Sequence, residues 1–361
     1  MSNLNAQLPG KLSNPACTFE TDPRSHPKIV AMLAAVGGAG EADPGLPLDA
    51  SYEDCLAYCK MFEETSAAGN EMLLANLPKL DSVEHSTEVI KGVDGNDITL
   101  YIHRPKHSKG AIPCVVHTHG GGMVLMGATD PGFIRLRDSL ADRGMVVIGV
   151  EFRNGGGRLG NHPFPAGLND CASAAQWAYA NKAELDISSI IISGESGGGN
   201  LAIATTLTAK QDGWMDQIDG VYAMCPYISG AYAEPPAELL SLQENNGYTL
   251  TCNQMATLVK VYDPSGDNAT NPLAWPWQAS TDQLQGLPPH VISVNELDPL
   301  RDEGVTFLHK LMAAGVTAVG RTVLGTPHAG DVMFGDVTPE IYDETVRSIY
   351  GFARGLAHEP A

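Results

Sequence analysis

From Val83 onward the chain alternates two rhythms. Short apolar runs recur as IPCVVHTH from Ile112, MVVIGVEF from Met145, SIIIS from Ser189, IDGVYAMC from Ile218, HVISVNE from His290 and AVGRTVL from Ala318. Between them, apolar positions fall at helical spacing near 133–143, 166–182, 198–211, 302–314 and 339–354. Strands that are apolar on both faces, alternating with helices, predict a mostly parallel sheet covered on both sides, an α/β fold. Two runs open the series, VEHSTEVIKG and DITLYIHRP, and pair around the turn Asp94-Gly95-Asn96. Residues 1–82 differ: Pro and Gly punctuate them, a helical pattern runs from Tyr52 to Leu77, and no strand is evident. Residues 229–271 interrupt the alternation with Pro, Tyr and Asn and read as an insertion. The division this suggests is an N-terminal extension (1–82), a core in two pieces (83–228 and 272–361) and an insertion (229–271).

Composition narrows the class. The chain has 361 residues, 43% hydrophobic and 18% charged, enough for a large core. A net charge of −20 argues against nucleic acid and anionic membrane surfaces as partners. The seven cysteines are odd in number and lack C-x-x-C spacing, which points to reduced thiols rather than a disulfide framework. Cys55 and Cys59 share a helix face, and Cys114 and Cys225 sit in strand-like runs. The first twenty residues have no apolar core of a signal peptide, and no apolar stretch reaches the ~18 residues of a membrane span. A soluble, cytoplasmic protein is expected, without membrane insertion and with homo-oligomerisation left open.

The candidate chemistry begins at Ser193–Asn200, SGESGGGN. Gly194-Glu195-Ser196-Gly197-Gly198 fits G-x-S-x-G between a predicted strand and a predicted helix, the setting in which a serine is presented on a strained turn. Ser196 needs a base, and the base a carboxylate to orient it. Downstream stand His290, opening a strand; His309, inside a helix; His358, in the tail; and His328, in the loop after a strand. His328 is the natural base. Of the acids after the preceding strand, Asp298 is the first candidate, Asp302 the second and more suited to capping a helix, and Glu296 the third. His119-Gly120-Gly121-Gly122 follows the strand from Ile112 and offers backbone N–H donors for an oxyanion.

Together these motifs resemble the hormone-sensitive-lipase-type esterases of the α/β-hydrolase fold. The matching pieces are His119–Gly122, Gly194–Asn200, Phe164–Asp170 (F-P-A-x-x-x-D), Asp298–Glu303 (D-P-L-x-D-E) and His328, in family order. The resemblance implies a triad of Ser196, Asp298 and His328, oxyanion donors at Gly121, Gly122 and Gly197, and no cofactor. It implies a helical cap built from the extension and the 229–271 insertion. It also implies a small-molecule ester as substrate and, since it takes in the extension, a macrocyclic lactone in particular. Three departures stand out: Glu195 and Gly197 where the family has Asp and Ala, Phe152–Gly157 (FRNGGG) in place of Y-R-L-A-P-E, and Arg158–Asn161 after it. Gly197 is expected to leave a roomier donor, and Glu195 to make a salt bridge behind the elbow.

Other readings are weaker. GGGRLG at 155–160 matches G-x-G-x-x-G, but the prolines at 163 and 165 oppose the helix a dinucleotide site requires. His117 and His119, with His103 or His107 as a third ligand, would suit zinc, yet a metal leaves the three glycines unexplained. A non-catalytic binder on the same fold would not need His328. An amidase would use the same machinery.

Overall fold

A computed structural model describes all residues except 1–7, 36, 37, 39, 75–79 and 357–361, and in 67–74 the backbone alone. The tail histidine, His358, lies outside the described residues. Eight strands form one sheet in the order β1-β2-β4-β3-β5-β6-β7-β8. They are β1 (Val83–Lys91), β2 (Asp97–Pro105), β3 (Ile112–Thr118), β4 (Val146–Glu151), β5 (Ile187–Glu195), β6 (Gly220–Met224), β7 (His290–Asn295) and β8 (Ala318–Val323). The hairpin β1–β2 is antiparallel and joins β4 antiparallel; from β4 to β8 every pairing is parallel.

The helices are α1 (Pro27–Ala35), α2 (Tyr52–Leu74), α3 (Pro131–Asp142), α4 (Ala166–Ala180), α5 (Gly197–Asp212), α6 (Ser241–Glu244), α7 (Cys252–Tyr262), α8 (Thr281–Leu284), α9 (Arg301–Ala313), α10 (Gly330–Met333) and α11 (Pro339–Gly355). Successive side chains of a strand point to opposite faces, and the core follows that rule. Ile191 packs with Leu136 and Leu140 of α3 and Val346 and Ile349 of α11. Its neighbour Ile192 packs on the other face with Ala172 of α4, Ile203 of α5 and Phe307 of α9. Both faces of the central strands are therefore dry, which is why their sequence lacks polar alternation. Start and stop signals are local: Pro131 and Pro339 open α3 and α11, a Thr251–Gln254 capping box opens α7, and Gly213 closes α5 in the left-handed conformation.

The described residues among the first eighty pack into the core and do not form a separate layer. Cys55, Tyr58 and Cys59 of α2 join the core that holds Met255 and Val261 of α7. Gln254 Nε2 donates to Tyr58 Oη at 3.1 Å. The segment before α1 packs Phe19 against Tyr248 and Leu297. Arg24 bridges Asp22 (2.7 Å) and Glu244 (2.5 Å), and Glu244 pairs in turn with Arg301 (2.7 Å).

Candidate active site

Ser196 sits between the end of β5 and the start of α5, with φ 57° and ψ −120°. That backbone is costly for a residue with a Cβ and is held by three bonds. Its N–H donates to Met224 O (2.9 Å), and its carbonyl accepts from Asn200 (3.1 Å) and Tyr227 (3.1 Å). The flanking glycines are required by close approach. A Cβ on Gly198 would lie 1.9 Å from Thr118 O, and one on Gly194 2.2 Å from the same oxygen. The elbow is thus pressed directly against the end of β3.

The loop that follows β3 lies over the elbow. Gly121 (φ 107°) and Gly122 (φ 62°) take left-handed conformations, and Met123 follows at φ 61°. Among the described residues the N–H groups of Gly121 and Gly122 have no protein acceptor. A Cβ on Gly197 would meet the nitrogens of Gly122 and Met123 at 2.6 Å. The room expected at Gly197 is therefore filled: the glycine lets the loop backbone come closer.

Glu195 ties these two pieces together. It is buried, and its Oε1 accepts from Gly120 N–H at 2.8 Å while its Oε2 accepts from His117 Nε2 at 3.0 Å. Burial would raise the carboxyl, but His117 and the Gly120 N–H hold it below the ordinary carboxylate range. His119 stacks on Phe152 (4.1 Å between centroids) and Phe133, and its Nδ1 donates to Gly120 O. Burial pushes its pKa down to about 3, so it is a neutral strut. His117 and His119 thus each have a structural partner on one ring nitrogen.

Asp298 and His328 come from the loops after β7 and β8. His328 Nδ1 stands 2.7 Å from Asp298 Oδ2, and Asp298 Oδ1 accepts from Leu300 N–H at 2.9 Å. Asp298 is fully buried, and the His328 side chain is 10% exposed. Burial opposes protonation of His328, but the Asp298 charge outweighs it and holds the imidazole above its usual value. His328 and Cys225, the residue after β6, lie side by side, with ligand atoms within 4.8 Å. Cys225 is in turn flanked by Met224 and Pro226, next to the residues that hold the Ser196 backbone. Ser196, Asp298 and His328 therefore share the rim at the carboxyl ends of β5, β7 and β8, where open α/β sheets bind ligands.

The alternatives have other places. Asp302 does not cap α9 with its side chain; Leu300 is the N-cap residue, and Asp302 Oδ2 accepts from Ser241 N–H at 2.8 Å. Glu296 Oε2 accepts from Gly325 N–H at 2.8 Å. His290 is buried against Pro288 O, with its pKa lowered to about 4 by burial, and His309 is exposed on α9. GGGRLG forms a short 3-10 turn at Gly157–Leu159 and then irregular chain.

Sequence reasoning missed Glu63. From α2, its two oxygens accept from Met126 N–H and Arg158 N–H, both at 2.6 Å. It fastens the extension to the glycine loop. The three glycines of FRNGGG allow it: a Cβ on Gly157 would lie 2.7 Å from Glu63 Oε2, and one on Gly156 3.1 Å from Val261. The signal was present, since a run of glycines marks close approach, but the partner lay ninety residues upstream. Asp170 of the F-P-A-x-x-x-D segment accepts from Arg153 N–H (2.8 Å) and from its guanidinium, fixing the start of that glycine run.

Comparison with known proteins agrees with this fold. A model of the α/β-hydrolase fold family matches residues 115–331, and the chain belongs to that family. Within it the kinship is with esterases. The carboxylesterase NlhH of Mycobacterium tuberculosis is 29% identical over 303 residues, 81% of this chain and 91% of that one. Brefeldin A esterase, described as a bacterial homologue of human hormone-sensitive lipase, superposes with a TM-score of 0.92 at 43% identity, covering 97% of this chain and 99% of that one. The structure of esterase Est22 superposes with a TM-score of 0.83 at 36% identity, over 94% and 99% of the two chains.

Proposed function

We propose that this serine ester hydrolase opens a macrocyclic lactone, brefeldin A or a close relative, through an acyl-enzyme on Ser196. The observation that carries the chemistry is the Asp298–His328 hydrogen bond of 2.7 Å, on the same rim of the sheet as the Ser196 elbow. In this reading His328 accepts the Ser196 proton as the hydroxyl attacks the ring carbonyl. The N–H groups of Gly121, Gly122 and Gly197 take the oxyanion, and losing one such donor raises the barrier by about 3 kcal/mol. His328 then protonates the leaving alkoxide, and water releases the acid by the same steps in reverse. The alcohol of a lactone stays tethered to the acyl group, so it must swing clear before water can compete.

The lactone is supported by the extent of the likeness to brefeldin A esterase, which covers nearly the whole chain and so includes the extension. We read residues 1–82 and 229–271 as a cap over the core of 83–228 and 272–361. The α2–α7 contact through Tyr58 and Gln254 and the Glu63 bonds to the glycine loop support that reading. A cap so placed shapes the acyl pocket. All seven cysteines are free, which favours a reducing cytoplasm. The test is mass spectrometry of brefeldin A incubated with wild type and with Ser196→Ala. Addition of one water with wild type alone is expected. An intact lactone alongside cleavage of a short p-nitrophenyl ester would overturn the lactone assignment.

A further inference from the structure

Cys225 has no part in the mechanism above, yet it touches the acid–base pair. Its sulfur, a ring nitrogen of His328 and a carboxylate oxygen of Asp298 all lie within 4.8 Å of one another. The thiol is held there by its backbone. Cys225 is a non-glycine residue at φ 33°, immediately beyond β6, and its N–H donates to Ser293 O at 2.7 Å. Such a conformation is strained and persists only where its surroundings impose it. Cys225 is 1% exposed and Asp298 0%. Of the three, His328 alone reaches solvent, with 10% of its side chain exposed.

We propose that Cys225, His328 and Asp298 form an inhibitory binding site for a zinc-class divalent cation. One sulfur, one imidazole nitrogen and one carboxylate oxygen are the donor set that borderline-soft ions such as Zn²⁺ and Cd²⁺ prefer. Tetrahedral coordination at bond lengths of about 2.0–2.3 Å needs ligand atoms roughly 3–4 Å apart, so the cluster closes on an ion with small side-chain rotations.

The thiol releases its proton to solvent and the sulfur donates a lone pair to the ion. A neutral imidazole has one free lone pair, and the ion takes it. If the ion binds Nε2, that lone pair is blocked directly. If it binds Nδ1, the ring proton moves to Nε2 and the Asp298 hydrogen bond is replaced by a bond to the ion. Either way no basic nitrogen is left for the Ser196 proton. The inhibition, though not the binding, rests on the ester-hydrolysis mechanism proposed above.

A second cluster shows why composition alone is insufficient. His85, His103 and Asp138 also bring three ligand atoms together. There Arg137 Nε donates to His103 Nε2 at 3.0 Å, which leaves the proton on Nδ1, turned to Asp138 Oδ1 at 2.6 Å. A cation would have to displace that proton beside a buried guanidinium. In the Cys225 cluster Asp298 Oδ1 accepts from Leu300 N–H at 2.9 Å, but among the described residues no guanidinium is bonded to His328, whose second ring nitrogen is left without such a donor.

The test is titration of wild type, Ser196→Ala and Cys225→Ala with Cd²⁺ alone, following thiolate-to-cadmium absorption and the hydrolysis of p-nitrophenyl acetate. Wild type should gain the absorption band with one ion and one proton exchanged per chain and lose turnover in step; adding EDTA should abolish the band and restore turnover. Ser196→Ala, inactive, should still gain the band, which separates the site from the mechanism. Cys225→Ala should lose the band and need at least about 10-fold more ion for half-inhibition relative to its own ion-free rate. Should that variant not fold, Cys225→Ser keeps the size and should show the same loss of band. A band or an inhibition constant unchanged in the Cys225 variants would place the ion on another thiol and overturn the proposal, as would a wild type that stays active with no band.

Discussion

At the scale of single residues, the site depends on backbone fit and on one buried charge. Gly198 illustrates the first. Its missing Cβ leaves space for three backbone atoms of Thr118 and His119 at 1.9–2.7 Å. Backbone cannot yield as a side chain can, so Gly198→Ala is expected to lower unfolding stability by about 3 kcal/mol or more. Gly351→Ala, in an exposed turn of α11 with nothing within 4 Å of a Cβ, should instead gain roughly 0.5–1 kcal/mol. Chemical denaturation of the two variants checks the contrast. Asp298 supplies the buried charge. It raises the His328 pKa above the ordinary histidine value of about 6.5, so the base is protonated, and lost, at a higher pH than an isolated imidazole would be. The acid limb of kcat/KM should therefore have its midpoint above 6.5 and not at it. Asp298→Asn should move the limb down and cost on the order of 10⁴ in kcat, whereas Asp302→Asn should leave both nearly unchanged. A limb still above 6.5 in Asp298→Asn would remove the carboxylate as its cause.

At the scale of elements, the parallel strands and core helices were legible because their burial is written in adjacent residues. Ile190, Ile191 and Ile192 are apolar in a row because β5 is covered on both faces. The elbow and the glycine loop were legible for a similar reason: their conformations demand glycine locally, and glycine is visible. Helix α1 was not, since its buried Ile29 packs with Phe19, Tyr248 and Leu297, contacts that no local pattern records. Glu63 looked like one more charge on a solvated helix, yet it is 4% exposed and carries two backbone N–H groups of the active-site loops. Glu63→Ala leaves both donors unpaired, each costing about 1–3 kcal/mol. We expect a fall in thermal stability and a fall in kcat, because the loop bearing Gly121 and Gly122 is released. Glu63→Gln, which can still accept one bond, should show about half of each effect. Calorimetry and steady-state kinetics on the pair decide it; a kcat untouched in Glu63→Ala would mean that the loop holds itself.

At the scale of the whole molecule, the chain joins a mostly parallel sheet that presents three loops on one rim to an N-terminal segment that braces those loops from outside. His26 N–H donates to Gly325 O at 2.9 Å, in the loop that carries His328. Arg24 and Arg301 hold Glu244 from two sides, and Arg301 also donates to Glu296 O at 3.1 Å, in the loop that carries Asp298. Among the described residues no helix is long and apolar enough to cross a membrane. In the proposed mechanism this assembly makes Ser196 a nucleophile. The most direct measurement is the intact mass of the protein, quenched in acid during turnover of a p-nitrophenyl acyl ester and mapped by peptide. The expected result is one acyl group on the peptide carrying Ser196 in wild type, trapped to a higher level in His328→Ala if any attack persists, and absent from Ser196→Ala. Acylation of another residue, or turnover at the wild-type rate in Ser196→Ala, would contradict it.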